Sequence, residues 1–395
     1  MSRTLKLRWL LLGEFFGSFG NSFIWPLTTI YMHNQLHQSL TISGIILMLY
    51  SGFNVLGSYV AGIRFDHHDP RRMMIGGLIG AIGVMGILVK YNSWPYYPIL
   101  LISFGFFNGW IITILNAFGT QLVGQKSRFV FNMLYFTNNL GVVFGTMVAG
   151  PLYQLNGNRV SILFAITIGM HFIYLLIVRR FFILTSMPLQ SEKHKVVGPR
   201  ASLPNNNDYS IWMLFISIAI IWVTYSQWSS NFSVYMTGQG ISMMKYSLLW
   251  TINGVLIVVF QPIITWLTRR ITNDYWLVYF GVLMFIFSFA ILMLSHTYLM
   301  FVLGMGILTL GEITVFPTIP AIVNLLTPAN VKGRYQGLLN AWISIGKALG
   351  PLIGGMMIQI FSYQGLFLFC TGSLGLVALS IMSVRLISKN TMQKF

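Results

Sequence analysis

Long apolar runs alternate with short polar breaks along the whole 395-residue chain. Twelve runs stand out, at residues 7–31, 42–63, 73–90, 97–120, 130–153, 160–182, 210–236, 244–266, 276–295, 298–325, 334–358 and 362–386. A helix needs about 20 apolar residues to cross the hydrocarbon core of a bilayer. Inside that core a spanning segment must satisfy its own backbone hydrogen bonds, which a helix does. The pattern therefore predicts twelve transmembrane helices. The first run follows Arg3, Lys6 and Arg8 as a signal peptide would, but it is too long and carries no small-residue cleavage site, so it is read as the first span.

The polar breaks carry the basic residues, and they fall on one side. With the N-terminus placed inside, the inner segments hold Arg3, Lys6, Arg8, Arg64, Arg71, Arg72, Lys126, Arg128, Arg179, Arg180, Lys193, Lys195, Arg200, Arg269, Arg270, Lys332, Arg334, Arg385, Lys389 and Lys394. The outer segments hold only Lys90, Arg159 and Lys245, and Lys347 falls within a span. This asymmetry predicts a multi-pass protein of the cell membrane with both termini cytoplasmic.

The longest polar stretch, 183–209, contains Glu192, Lys193, Lys195, Pro199, Pro204 and Asn205–Asn207. It divides the chain into an N-terminal six-helix bundle (1–182), a cytoplasmic linker (183–209) and a C-terminal six-helix bundle (210–395). Such a linker either lets the bundles move against each other or tethers them passively. The halves resemble each other internally. Arg128 opens the fifth span and Gly141 and Gly145 follow it; Arg334 opens the eleventh and Gly346 and Gly350 follow at nearly the same spacing. Both spans then carry a Gly-Pro pair, Gly150-Pro151 and Gly350-Pro351. Duplicated halves are the basis of alternating-access transporters.

Composition narrows the class. The chain is 55% hydrophobic, 15% aromatic and only 8% charged, with a mean hydropathy of +0.73. Soluble domains carry about 25% charged residues, so a soluble enzyme, a disordered chain and a disulfide scaffold are excluded. The net charge of +17 would suit nucleic acid only if the cations shared one face; they are scattered between spans, and no nucleic-acid partner is expected. The single cysteine, Cys370, makes no internal disulfide and reads as a packing residue.

Three local motifs resemble the major facilitator superfamily, and within it the drug:proton antiporter branch. After the second span the chain reads Gly62-Ile63-Arg64-Phe65-Asp66-His67-His68-Asp69-Pro70-Arg71-Arg72, against the family pattern G-x-x-x-D-R-x-G-R-K. Gly62 and Asp66 match; His67 and Asp69 depart, and the arginines lie one position late. The resemblance implies that Asp66, with Arg71 and Arg72, latches helix ends; otherwise the arginines only set topology. The antiporter signature G-x-x-x-G-P-x-x-G is off register in span five, where Gln154 replaces its last glycine, but complete in span eleven as Gly346, Gly350, Pro351 and Gly354. Those residues are expected to pack helices closely. In span ten, Gly311-Glu312 followed by Pro317 is similar to multidrug:proton antiporters whose glutamate lines the drug cavity, and this implies such a role for Glu312. Acidic positions used elsewhere in such pumps are occupied here by Thr120, Leu134 and Ser229–Ser230. The fold implied is all-α, with twelve transmembrane helices in two bundles, and the family default is a monomer.

Of the seven carboxylates only Glu14 and Glu312 fall inside apolar runs, and Lys347 is the only mid-span cation; the other charges lie in loops or at span ends. A charge at the bilayer centre costs about 2.5–3.5 kcal/mol on insertion scales. Glu312 and Lys347 lie on neighbouring spans, so they form either a structural ion pair or a switching pair in which Glu312 gains and loses a proton. Glu14 is either hydrogen-bonded into the helix packing beside Gly13 and Gly17 or a second proton or substrate group. His171, mid-span in the sixth run, reads as hydrogen-bonded structure rather than a relay.

Candidate cavity residues are Asn21, Trp25, Asn108, Asn116, Asn138, Asn139, Trp222, Gln227, Trp228, Asn253, Gln261 and Asn340, with Trp25 and Trp228 the favoured aromatic contacts. Each is otherwise an interhelical hydrogen bond or an interfacial anchor. The expected function is secondary, proton-coupled efflux of amphipathic or cationic small molecules. The alternative is proton-coupled transport of a defined metabolite such as a sugar or lipid-linked sugar. No phosphate-binding loop, metal-ligand pair or catalytic constellation occurs in the sequence, so neither an enzyme nor a cofactor is expected.

Overall fold

The computed structural model describes residues 5–65, 68–120, 122, 127–157, 159–182, 205–268, 274–295, 297–327 and 332–392. Among these residues every regular element is helical: α1 (Leu7–Asn21), α2 (Ile24–Ile30), a π-helical stretch (Tyr31–Gln35), α3 (Leu40–Phe65), α4 (Pro70–Lys90), α5 (Tyr96–Thr120), α6 (Ser127–Leu155), α7 (Ser161–Phe181), α8 (Asn205–Ser229), α9 (Asn231–Gly238), α10 (Met243–Thr268), α11 (Asp274–Met293), α12 (Tyr298–Leu326) and α13 (Lys332–Met392). All twelve apolar runs of the sequence fall on helix. Nine helical stretches among the described residues are long and apolar enough to cross a membrane. Large apolar side chains such as Val55, Leu368, Leu376 and Leu379 are more than half exposed, as suits a wall facing hydrocarbon.

Two runs are interrupted and two are joined. The first breaks between α1 and α2. Pro26 lies in the first turn of α2, where its missing N–H costs nothing, but in a continuous helix its ring would strike the carbonyl four residues back, at Ser22. The Ser22 hydroxyl donates instead to the Phe19 carbonyl at 2.9 Å. The seventh run breaks at Ser230, which leaves helical geometry (φ −116°, ψ −80°) while its hydroxyl donates to the Ser226 carbonyl at 2.8 Å. The last two runs share α13, whose 61 residues would measure about 90 Å if straight. The helix turns at Ser362 (φ 64°, ψ −178°), a backbone region that is essentially glycine-only.

The chain forms two compact units. Unit 1 comprises Met1–Gln38, Ile45–Ser191 and Ser242–Gly254; unit 2 comprises Ser39–Gly44, Glu192–Ile241 and Val255–Phe395. The start of α3 thus groups with unit 2 and the first half of α10 with unit 1. Within unit 1, α1 packs against α6 and α7, and α4 against α5 and α7. Within unit 2, α8 packs along α13, and α11 against α12 and α13.

Glycine sets the closest of these approaches. In unit 1, Gly141 and Gly145 of α6 face the Phe15 and Phe19 carbonyls of α1. In unit 2, Gly346 and Gly350 of α13 face the Ala219 and Val223 carbonyls of α8. A Cβ at Gly350 would overlap the Ser226 hydroxyl, and one at Gly354 would overlap the Gln227 amide. Gly13 and Gly17 of α1 make the bed for the Tyr174 ring.

Two outcomes follow from this packing. Gly350→Val forces α8 and α13 apart and is expected to lower stability by about 1–3 kcal/mol, whereas Gly372→Ala, with open space around it, is expected to be neutral. Ser362→Gly relieves a conformation that costs about 1–3 kcal/mol in other residues and is expected to raise the melting temperature. Thermal unfolding of the purified protein in detergent reads both.

Candidate functional site

Each unit gathers polar and aromatic side chains around an intramembrane charge. In unit 1 the charge is Glu14, half-buried about two turns after the first residue of α1. Its Oε1 accepts hydrogen bonds from the Ser18 hydroxyl at 3.0 Å and from Asn138 Nδ2 of α6 at 2.9 Å. Asn138 Nδ2 also reaches Ser18 Oγ at 2.7 Å, closing a triangle. Ser18 sits one helical turn after Glu14, so both point at α6. The glycines of α6 bring Asn138 within reach.

A second ladder lies further along the same helix. Asn21 Nδ2 donates to Asn108 Oδ1 at 2.8 Å, and Asn108 Nδ2 donates to the Tyr50 hydroxyl at 3.1 Å. Trp25 meets the Tyr50 ring edge to face at 6.2 Å. The buried Asn21 Oδ1 has no donor among the described residues. His171 is fully enclosed beside Gly20, with Nδ1 2.9 Å from the Thr167 carbonyl oxygen and the Phe104 ring against its edge.

Unit 2 holds Glu312 and Lys347. Glu312 is buried at 8% exposure on α12. The preceding residue, Gly311, lets α12 press on Phe285 and Gly281 of α11, which draws this turn inward. Glu312 Oε2 accepts from the Tyr225 hydroxyl of α8 at 3.0 Å. Tyr225 packs edge to face on Trp222 at 5.2 Å and on Phe316 at 5.3 Å. Trp222 and Phe316 stack nearly parallel at 4.3 Å. The opposite face of Trp222 carries the Lys347 ammonium, 4.0 Å from the ring centroid. Lys347 also feels the charge of Glu312 and keeps exposed surface.

Magnitudes explain this arrangement. A cation on an aromatic face gains about 0.5–2 kcal/mol, less than the about 2.5–3.5 kcal/mol that a mid-membrane lysine costs. The Glu312 field and Lys347's exposed surface must supply the rest. Tyr225, Phe316 and Trp222 form one run of touching rings, bonded to the acid at Tyr225 and carrying the base at Trp222.

The other sequence candidates are distributed as follows. Asn139 is half-buried and donates to the Tyr135 carbonyl of its own helix at 2.9 Å. Asn116 and Asn340 are exposed, and Asn253 is buried in the unit 1 portion of α10. Trp228, favoured from sequence as a cavity aromatic, has no exposed surface; it stacks on Phe232 at 4.9 Å inside unit 2. Gln227 donates to the Gly350 carbonyl at 2.8 Å and accepts from Asn231 at 2.7 Å, which ties α8 and α9 to α13. Of the latch residues, Asp66 lies outside the described residues and Gly62 is exposed on α3. Arg71 donates through Nη2 to the Arg179 carbonyl at the end of α7. Arg72 pairs with Asp69 at 3.5 Å across an open surface, an interaction worth about 0–1 kcal/mol. The sequence reading missed Tyr225, Phe316 and Tyr50. The available signal was that a mid-span tyrosine hydroxyl needs a partner when buried.

Apolar helices in two units, each holding ionisable groups among amides and rings within its spans, fit a polytopic membrane transporter. The Major Facilitator Superfamily model matches residues 10–346 and 275–393, and the chain belongs to that superfamily. It is similar to the uncharacterized MFS-type transporter YttB of Bacillus subtilis, with 33% identity over 371 residues covering 93% of this chain and 91% of the relative. It is 23% identical to a Na(+), Li(+), K(+)/H(+) antiporter of Planococcus maritimus, covering 89% of this chain and 88% of that one. It is 22% identical to the multidrug resistance protein MdtG of Dickeya zeae, covering 93% and 90%. Among solved structures, a POT family transporter in complex with a thioalcohol-conjugated peptide superposes with a TM-score of 0.78 at 14% identity, covering 95% of each chain; this likeness concerns the fold alone. The protein is a transporter and not an enzyme.

Removing the donors of the Glu14 triangle tests its structural weight. Asn138→Leu strips one bond from a half-buried carboxylate and one from Ser18, and is expected to cost about 1–3 kcal/mol. Ser18→Ala is expected to cost less, because Asn138 still reaches Glu14. Melting curves of the two variants, taken side by side, give the ranking.

Proposed function

We propose that the protein is a secondary active transporter that exchanges protons for amphipathic, cationic small molecules by alternating access, with Glu312 as the coupling group. The observation that carries this reading is the ordered series Glu312, Tyr225, Phe316, Trp222, Lys347. The Lys347 ammonium rests on the Trp222 face, where a substrate cation would gain the same attraction. Lys347 is in effect an internal stand-in for the substrate. A cation that displaces it leaves the Glu312 carboxylate to balance the new charge; a proton on Glu312 removes that balance and favours release. Substrate and proton then compete for one negative charge, which is the simplest basis for exchange.

The MdtG relative is named for multidrug resistance and the Planococcus relative for cation–proton antiport; both fit this scheme. The one-sided distribution of basic residues supports a cell-membrane protein with both termini in the cytoplasm. In this reading the protein acts as a monomer.

A second reading, transport of a defined hydroxylated metabolite such as a sugar, draws on the Asn21–Asn108–Tyr50 ladder and the Trp25 ring. The unpaired Asn21 Oδ1 is a ready acceptor for a substrate hydroxyl.

Purified protein in liposomes under an imposed pH gradient tests the coupling. Glu312→Gln is expected to insert normally and to lose proton-driven accumulation while retaining substrate counterflow. Full gradient-driven activity in that variant would take Glu312 out of the mechanism. Counterflow with cationic dyes and with sugars separates the two readings: dye exchange supports the first, and sugar-only exchange the second.

A further inference from the structure

The end of unit 1 where α1 and α4 begin and α7 finishes gathers charge that the transport scheme leaves unused. Lys6 and Arg8 flank the start of α1, Arg71 and Arg72 lie in the first turn of α4, and Arg179 and Arg180 in the last turn of α7. Side chains tie these three helix ends together. Trp9 stacks face to face on Phe181 with centroids 3.6 Å apart. The Arg8 guanidinium lies over the same Trp9 ring, 4.9 Å from its centroid. Arg71 Nη2 donates to the Arg179 carbonyl.

Compensating negative charge is scarce at this rim. Among the described residues of these segments the only carboxylate is Asp69, and it is already engaged: Oδ1 accepts the Arg71 backbone N–H at 2.9 Å and Oδ2 lies 3.5 Å from Arg72 Nε. Arg8, Arg179 and Arg180 are exposed and make no ion pair with any described residue. Arg71 Nε is buried without an acceptor among the described residues.

Directly along the helices from this rim the surface turns apolar. Leu12 lies one turn from Arg8 on α1, and Leu176, Ile173 and Phe172 lie one to two turns from Arg179 and Arg180 on α7. All four are exposed. In a polytopic membrane protein that wall faces acyl chains, and the arginines sit at headgroup depth with the Trp9–Phe181 pair at the boundary.

We propose that this rim is a binding site for an anionic phospholipid, with the guanidiniums holding the headgroup phosphate and the α1–α7 wall holding the acyl chains. Guanidinium matches phosphate bidentately. The adjoining apolar wall selects an amphiphile over free phosphate. Charges that serve topology alone need only lie on the right side of the bilayer; here an aromatic stack and an arginine–carbonyl bond join them into one rim.

The test uses the full chain in detergent micelles, with lipid retention read by native mass spectrometry. Phosphatidylglycerol and cardiolipin are expected to be retained about tenfold or more over phosphatidylcholine, as several basic residues near one headgroup would give. The triple variant R8Q/R179Q/R180Q is expected to lose that preference. Equal retention of the three lipids by the wild type, or an undiminished preference in the variant, would overturn the proposal. So would displacement of bound lipid by glycerol phosphate at equal concentration, because then the phosphate alone is recognised. If the triple variant does not insert, wild-type protein decides: the preference must fall between about 0.05 M and about 0.5 M salt, as screening requires, and a salt-independent preference refutes it. The readout does not involve Glu312 or transport.

Discussion

The close approach of glycine-bearing helices to backbone carbonyls underlies everything else in each unit. Apolar surface gives no driving force between helices in lipid, so helices associate where small residues let them touch closely. Gly141 and Gly145 do this for α6 on α1; Gly346 and Gly350 do it for α13 on α8. The same two positions of the same helix in each half meet the same turn of its partner. That equivalence expresses the duplicated halves at atomic scale. It also places the polar chemistry: Asn138 reaches Glu14 across one seam, and Gln227 reaches the Gly350 carbonyl across the other.

On this shared frame the halves diverge in how they hold charge. Unit 1 surrounds Glu14 with neutral donors in a closed triangle. Unit 2 spreads Glu312 and Lys347 along an aromatic series, with Tyr225 bonded to the acid and Trp222 beneath the base. In the triangle Glu14 Oε1 already accepts two hydrogen bonds. The aromatic series leaves the ammonium held by a face that other cations can also occupy. The difference makes unit 2 the better candidate for exchange chemistry.

The twelve runs were legible because period and length alone separate a membrane helix from its connections. The interruptions were less so. Pro26 marks the first break openly, whereas Ser230 and Ser362 depart from the helix with residues that elsewhere continue it. Gly346, Gly350 and Gly354 announced a tight seam, but sequence cannot say which helix fills it. Residue type singled out Glu14, Glu312 and Lys347 as the charges to be explained. It did not reveal that Lys347 lies on an indole, because that depends on the rotation of α8 against α13. Trp228 shows the converse: one turn and a half beyond Trp222 on α8, it turns away from Lys347 and into the core of unit 2.

The bend at Ser362 has a mechanical consequence. A flexible loop of several residues would let the last two helices reorient independently. A single residue in a narrow backbone well transmits torque instead. The segment bearing Gly350 and Lys347 is therefore joined to the terminal segment through one residue, with no slack loop between them.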